Sequence, residues 1–425
     1  MRPDLEIDAL QTGINAFVGW LDATGYSSFD PYDIWGTQYG LAARRLYYRK
    51  PLLGLSLIAP LLFIEICCPS LRRLFVKRDR FATADAQLLL AFLNLHRITG
   101  RSDYLAKARR LGDEVLGNSI PGYSGYCWGY PFDWQNQRGM WARNTPFITC
   151  TPYCYEAFAG LFDITGEVRY RKIAESIATF IFADLKDTET GPGAAAASYS
   201  PNDNSQVINA TAYRAWVLFD AIERFGRSDW KDKAERNLKY ILQSQRPDGS
   251  WLYSTDDHGN YIDHFHTCFV LKKLWKINRL LDLDEVRESI RRGYAFNRRE
   301  LFFPNGLPRM YALRPRTGIV RHEMYDFAEA ITLGALLRDD IPEAFEQAHA
   351  LASVLCSRYQ LNDGHFVTRV YSGGWRHTFP FIRWPQAQLF YALTNLLKAT
   401  VNASTESPDS RSQGVHKEPA MRVTK

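Results

Sequence analysis

The sequence contains no Cys-x-x-Cys pair, and its seven cysteines (Cys67, Cys68, Cys127, Cys150, Cys154, Cys268 and Cys356) are an odd number without histidines at zinc-ligand spacing. Neither a structural zinc site nor a disulfide framework is supported. Met1-Arg2-Pro3-Asp4 does not begin a secretory leader, so reduced thiols in a cytoplasmic protein are expected. Cys150 and Cys154 fall one helical turn apart and read as core residues. The net charge is also modest. The formal net charge is +6 and Lys and Arg are spread along the chain, which gives no nucleic-acid footprint and leaves acidic glycans or anionic lipid as partners. One run, Pro51 to Cys68, is apolar almost throughout, interrupted by Pro60 and Glu65. It is at the short limit for a spanning helix, and Arg or Lys on both sides (Arg44, Arg45, Arg49, Lys50; Arg72, Arg73, Lys77, Arg78) gives no orientation. An arm lying in the membrane interface at 51–68 and an arm packed on the domain both fit it.

What is present is apolar and aromatic: 46% hydrophobic and 14% aromatic residues over 425 positions can bury a large core. Leu5 to Leu21 has helical spacing. From Thr83 onward helical hairpins recur about every 60 residues, their turns marked by Gly or Asp (Thr99-Gly100, Thr165-Gly166, Gly226). The helices starting near 84, 152, 207, 267, 325 and 385 are apolar enough to be inner ones, and those following them are of mixed polarity. With the N-terminal helix as a sixth outer member, the pattern predicts a single all-α, (α/α)6-type toroid over 81–402. Residues 1–80 would form a helix, an aromatic loop and the apolar arm, and 403–425 a disordered tail.

Links from outer to next inner helix are long: 118–149, 186–206, 246–266, 299–324 and 360–384. In an alternating toroid they gather at one end, which also presents the inner-helix N-termini. These loops carry Trp128, Tyr130, Asp133, Trp134 and Arg143; Tyr199 and Asn209; Trp251; and Trp375, Arg383 and Trp384. Aromatic faces with interspersed carboxylates, amides and Arg suit sugars, which offer apolar C–H faces and directional hydroxyls. An Arg fork would suit a uronate carboxylate.

Gln245-Arg-Pro-Asp-Gly-Ser-Trp251 resembles the QW motif of terpenoid cyclases, and the hairpin series is similar to α/α-toroid enzymes acting on polysaccharides, among them six-hairpin glycosidases, uronate-processing lyases and epimerases. Through Trp128-Gly-Tyr-Pro-Phe-Asp-Trp134, Ile262-Asp-His-Phe-His266 and Arg383-Trp-Pro-Gln386, the chain resembles toroid proteins associated with bacterial surface-polysaccharide synthesis, over most of residues 25–400. The resemblance implies a toroid and a glycan-directed role. Ser254-Thr-Asp-Asp-His258 lacks the DxDD spacing of cyclases, and the prenyltransferase zinc pattern is missing.

Asp263, His264 and His266 are the leading catalytic candidates, since a carboxylate beside an imidazole orients and tunes a base. Helix capping by Asp263 is the structural alternative. Tyr325 and Asp326 occupy the corresponding start of the next inner helix, and Asn209 that of the preceding one. His264-x-His266 supplies too few ligands for a metal, and no cofactor is expected. Paired carboxylates would imply glycoside hydrolysis; His264, His266, Tyr325 and Arg383 would instead serve lyase or epimerase chemistry. The Gln245–Trp251 turn reads as structural, with Asp-Gly for the bend and Trp as a plug. The expectation is an enzyme modifying or cleaving a surface polysaccharide or its lipid-linked precursor, cytoplasmic and peripheral at the inner face of the membrane. A non-catalytic glycan-binding or scaffold subunit, and an isoprenoid-acting toroid with a deep apolar cavity, are the alternatives.

Overall fold

Six apolar helices form a closed inner ring, each backed by an outer partner. The structure is a computed structural model describing residues 3–314 and 318–406. Among these, the inner helices are α4 (Ala82–Thr99), α6 (Thr151–Thr165), α8 (Ile208–Phe225), α10 (His264–Leu281), α12 (Met324–Leu336) and α14 (Ala387–Glu406). Each packs on the next, and α14 packs on α4 to close the ring. The outer helices α5 (Ser102–Gly117), α7 (Val168–Ala183), α9 (Lys231–Gln243), α11 (Asp284–Glu300) and α13 (Pro342–Val354) each pack on the inner helix before them. The N-terminal helix α1 (Pro3–Thr24) lies on α14 and α13 as the sixth. This is an (α/α)6 toroid, as the hairpin count predicts.

The sequence explains the two polarities. Residues 82–95 of α4 are all buried, because an inner helix is enclosed on every side, whereas α9 and α11 bury one stripe. Gly100, Gly166 and Gly226 end α4, α6 and α8 with positive φ, each N–H donating back to a carbonyl of the last turn.

The long loops hold short strands that local periodicity does not reveal. β1 (Trp134–Asn136) pairs with β2 (Gly139–Trp141), and β3 (Asp187–Gly191) with β4 (Ala194–Ala197). Others join different loops: β5 (Ile262–Asp263) pairs with β6 (Tyr311–Leu313), and β7 (Val320–Glu323) with β8 (Arg369–Tyr371), which pairs with β9 (Arg376–His377). The loops are thereby laced into a rim over the inner-helix N-termini.

The apolar run forms α3 (Pro51–Cys67), antiparallel to α2 (Gln38–Arg49), a helix the sequence pattern did not predict. Only one side of α3 is buried, through Gly54, Ile58, Leu61 and Glu65. No helix among the described residues is long and apolar enough to cross a membrane. Helix α14 runs through Glu406, past the predicted Val401, and the rest of the predicted tail lies outside the described residues.

Candidate active site

The Gln245–Trp251 turn consumes its own polar groups. Gln245 Nε2 donates to the Gly249 and Ser289 carbonyls, 3.0 Å each, and Asp248 Oδ1 accepts from the Ser250 N–H and hydroxyl at 3.0 and 2.6 Å. Gly249 has φ +92°, and a Cβ there would lie 2.4 Å from the Arg292 carbonyl oxygen. Gln360–Gly364 repeats the device: Gln360 Nε2 donates to the Gly364 and Gly13 carbonyls at 2.9 and 2.8 Å. Each turn stitches the end of one outer helix to the next outer helix.

Twelve residues further on, the loop is pinned by β5–β6 and by the His264 N–H donating to Met310 O at 2.9 Å. Asp263 then opens α10 as its N-cap, its Oδ1 accepting from the His266 N–H at 3.1 Å. The same carboxylate meets His266 Nδ1 at 2.7 Å (Oδ2) and 2.9 Å (Oδ1). An ionised carboxylate only accepts, so Nδ1 carries a proton, and in the neutral ring the lone pair is then on Nε2. One side chain thus caps the helix and fixes the orientation of the His266 ring. Tyr253 and Phe265 flank the ring, with centroids 4.6 and 4.2 Å away.

Asp263 and His266 lie on the wall of a cavity of about 520 Å³ at the loop-bearing end. Of the residues singled out in the sequence, Tyr130, Trp134, Tyr199, Asn209, Tyr325, Arg383 and Trp384 also line it. Tyr325 stacks on Trp384 with centroids 3.9 Å apart and planes 4° from parallel. Burial pushes the hydroxyls of Tyr130, Tyr199 and Tyr325 well above the usual tyrosine range, so they remain hydrogen-bond donors. Tyr325, a candidate base, is therefore better suited to donate a proton than to take one. Asn209 is 2% exposed and neither its Oδ1 nor its Nδ2 has a partner; Gln388 Oε1 is likewise buried and unpartnered. Both line the cavity, leaving amide groups to meet a polar ligand.

Arg383 is present but committed. Its Nη2 donates to Asp30 Oδ1 at 2.8 Å and its Nε to Asp30 Oδ2, while the guanidinium lies 4.8 Å from the Tyr130 ring. Its charge is balanced within the protein, which argues against the predicted uronate fork. Arg138, also lining the cavity, is held bidentately by Asp256 at 2.5 and 2.7 Å. Asp263 and the exposed Asp257 are the carboxylates among the lining residues.

Other candidates lie elsewhere. Trp128 is 1% exposed, its Nε1 donating to Val115 O at 2.8 Å; Trp251 is equally buried, bonded to Ile241 O at 3.0 Å. Each plugs the end of the preceding outer helix and does not reach the cavity. Asp133 accepts from the Arg143 N–H at 2.7 Å in a turn whose Arg143 side chain is exposed, and Trp375 is 59% exposed on the β8–β9 turn. His264 and Asp326 are sealed beneath the wall: His264 Nδ1 is 3.8 Å from Asp326 Oδ1 and 3.7 Å from Cys268 Sγ. Burial raises the Asp326 carboxyl well above its usual range and lowers His264 to about 3. Among the described residues no group of His, Cys, Asp and Glu is placed to hold a metal.

The cavity residues that sequence reading missed include a set of tyrosines, among them Tyr32, Tyr48, Tyr153, Tyr213, Tyr253 and Tyr261. Tyr213 falls one turn below Asn209 on α8, and Phe269 one turn below Phe265 on α10. That i, i+4 spacing below each inner-helix start was the available signal.

The burial of His264 makes a pH prediction. Its folded pKa lies below the unfolded value of about 6.5, so its stabilising contribution is present above that pH and is lost as pH falls toward 3. In urea titrations, the stability advantage of wild type over His264→Leu should narrow by up to about 1.4 kcal/mol per pH unit across this window. A constant difference would show that the imidazole is protonated in the fold.

The fold and cavity define the protein as an (α/α)6 toroid with an aromatic, polar cleft at the inner-helix N-terminal end. The solved structures it is similar to share that architecture. A sugar epimerase from a ruminal bacterium superposes with a TM-score of 0.58 at 12% identity, over 77% of this chain and 90% of that one. An unsaturated glucuronyl hydrolase specific for heparin gives 0.57 at 14% identity over 76% and 86%. The α-1,6-mannanase from Salegentibacter sp. HEL1_6 gives 0.55 at 11% identity over 77% and 91%. No protein-family model and no curated protein matches the sequence.

Proposed function

We propose that the protein is a carbohydrate-active enzyme that takes a proton from a sugar carbon, as an epimerase or lyase does, on a surface polysaccharide or its lipid-linked precursor. The Asp263–His266 pair carries this reading: it presents an oriented imidazole Nε2 to a cavity of saccharide size, beside unpartnered amides and neutral tyrosine hydroxyls. His266 would remove the proton beside a carbonyl or carboxylate. The electron pair left behind would move onto that oxygen, and tyrosine O–H groups such as Tyr325 would donate to the oxyanion. A hydrolytic mechanism has less support, because it needs two carboxylates across the glycosidic bond, and Asp263 is taken up by His266 and by the helix N-terminus. The isoprenoid alternative calls for an apolar cavity, and here hydroxyls, amides and an imidazole interrupt the rings. The similar toroids named above include an epimerase and a glucuronyl hydrolase, which agrees with a glycan as substrate. We place the reaction in the cytoplasm at the inner face of the membrane.

Solvent exchange tests the chemistry. Incubated in D2O with a panel of reducing disaccharides and uronate oligosaccharides, the enzyme should give one of two products, both read by mass spectrometry. It should either place deuterium on a sugar carbon, where the carbanion is reprotonated as in epimerisation, or cleave to a product carrying a new C=C bond, where the electron pair expels the leaving group as in a lyase. Cleavage to saturated products without carbon-bound deuterium would mean hydrolysis, and saturable binding without any product would mean a glycan-binding subunit. Either result overturns the proton-transfer reading.

A further inference from the structure

The charge of this protein is concentrated in one place. Residues 34–78 hold eight Arg and Lys (Arg44, Arg45, Arg49, Lys50, Arg72, Arg73, Lys77, Arg78) against one acid, Glu65, a net of +7 where the entire chain carries +6. That corrects the even distribution assumed from the sequence. Glu65 is buried and paired with Arg72 and Arg369, so it offsets nothing at the surface. Arg45, Arg49, Lys50, Arg73, Lys77 and Arg78 are exposed.

Among the described residues the same segment carries the two most exposed large apolar side chains and several others. Leu52 is 91% and Leu74 76% exposed, and Leu53, Phe63 and Phe75 are each close to 60%. They sit on α3 and the short turn after it, with cations at both ends. Isolated exposed leucines are ordinary, but a cluster rimmed by one sign of charge marks an interaction surface. An isologous dimer through this face would set six exposed cations against six others, a repulsive arrangement. An anionic bilayer answers both, its acyl boundary the apolar cluster and its headgroup phosphates the rim.

The face adjoins the cleft. Tyr48, near the end of α2, lines the cavity, and Leu52 lies four residues on in the first turn of α3, past the bend at Lys50. Helix α2 packs on β1, whose Trp134 is also a lining residue, and Arg44 Nη1 donates to Gln135 O at 3.3 Å.

We infer that the α2–α3 hairpin docks on an anionic bilayer and thereby brings the neighbouring cleft a saccharide still attached to lipid. This rests on the glycan reading of the cleft and adds the form in which the glycan arrives. The apolar side chains enter the acyl boundary, the cations hold the headgroup phosphates, and the sugar reaches the aromatic cavity while its lipid stays in the membrane.

Co-sedimentation of the full chain with vesicles tests the docking without turnover. The protein should pellet with phosphatidylcholine–phosphatidylglycerol vesicles and remain in solution with phosphatidylcholine alone. Leu52→Ser/Phe63→Ser/Leu74→Ser should lose binding, and Arg49→Glu/Lys50→Glu should weaken it by roughly tenfold or more. Both variants change exposed side chains, so their circular dichroism and their deuterium exchange on a water-soluble glycan should match wild type. No binding to anionic vesicles, or equal binding by the triple variant, overturns the inference. So does a wild-type dimer that the triple variant converts to monomer, which would make the face a contact between copies. The vesicle assay needs no activity and the exchange assay needs no vesicles, so docking and chemistry fail separately.

Discussion

Asp263→Asn should lower turnover by about 10²–10⁴-fold, the usual worth of a positioned general base, with the fold unchanged. Asparagine is as good an N-cap as aspartate, so its side-chain oxygen still accepts from the His266 N–H that Asp263 holds at 3.1 Å. What is lost is the second task. With an amide opposite Nδ1, the –NH2 can donate to the ring, which moves the imidazole proton to Nε2 and removes the lone pair from the cavity side. His266→Gln should cost at least as much, and the double variant little more than either single one, because the two residues act as a unit. The readout is the rate of deuterium incorporation alongside far-ultraviolet circular dichroism. Full activity in Asp263→Asn would reduce Asp263 to a cap and move the chemistry elsewhere in the cleft.

Arg72→Met should be the most destabilising single change outside the core, by about 3–5 kcal/mol. Arg72 has no exposed side-chain surface. Its guanidinium donates to Asp33 Oδ1 at 2.8 Å, Glu65 Oε2 at 2.5 Å and the Asp30 and Pro69 carbonyls, and lies 4.5 Å from the Phe381 ring. Removing it takes the cation from buried Asp33 and leaves buried Glu65 with Arg369 alone, and burial already raises Asp33 to about 7. A raised carboxyl contributes stability at low pH that is lost as pH rises through the folded value. The deficit of Arg72→Met in urea unfolding should therefore grow as pH rises through about 7. A deficit independent of pH would mean that the carboxylates find other partners. Because Glu65 also binds Arg369 at 3.0 Å and Asp30 binds Arg383, the same variant should loosen the cleft wall and raise KM.

The helices were legible because an inner helix of this ring is apolar on all sides and its partner on one, a contrast that survives in a single sequence. Helix α2 was missed: Gln38, Arg44, Arg45 and Arg49 dilute its apolar residues below a clear period. The rim strands left no local signal, since Ile262 pairs with Leu313 and His322 with Val370 across separate loops. In the site, Asp263 and His266 could be read together because an N-cap and the residue three positions on meet by local geometry. Arg383 could not be read as neutralised, because Asp30 lies 353 positions away. Trp128 and Trp251 look the same in sequence whether a loop tryptophan turns toward a ligand or into the core.

The ring has one seam. It lies between α4 and α14, where Asn94 Nδ2 donates to Asn395 Oδ1 at 3.0 Å across 301 residues of chain and Lys398 Nζ donates to Asn94 Oδ1 at 3.0 Å. During synthesis the inner faces of α4 and α12 stay uncovered until α14 leaves the ribosome, and α1 waits for it as well. Folding can therefore finish only when nearly the whole chain has emerged, and the nascent protein carries a long apolar edge for most of its synthesis. Truncation within α14 should then produce a chaperone-bound or aggregated polypeptide instead of a smaller ring.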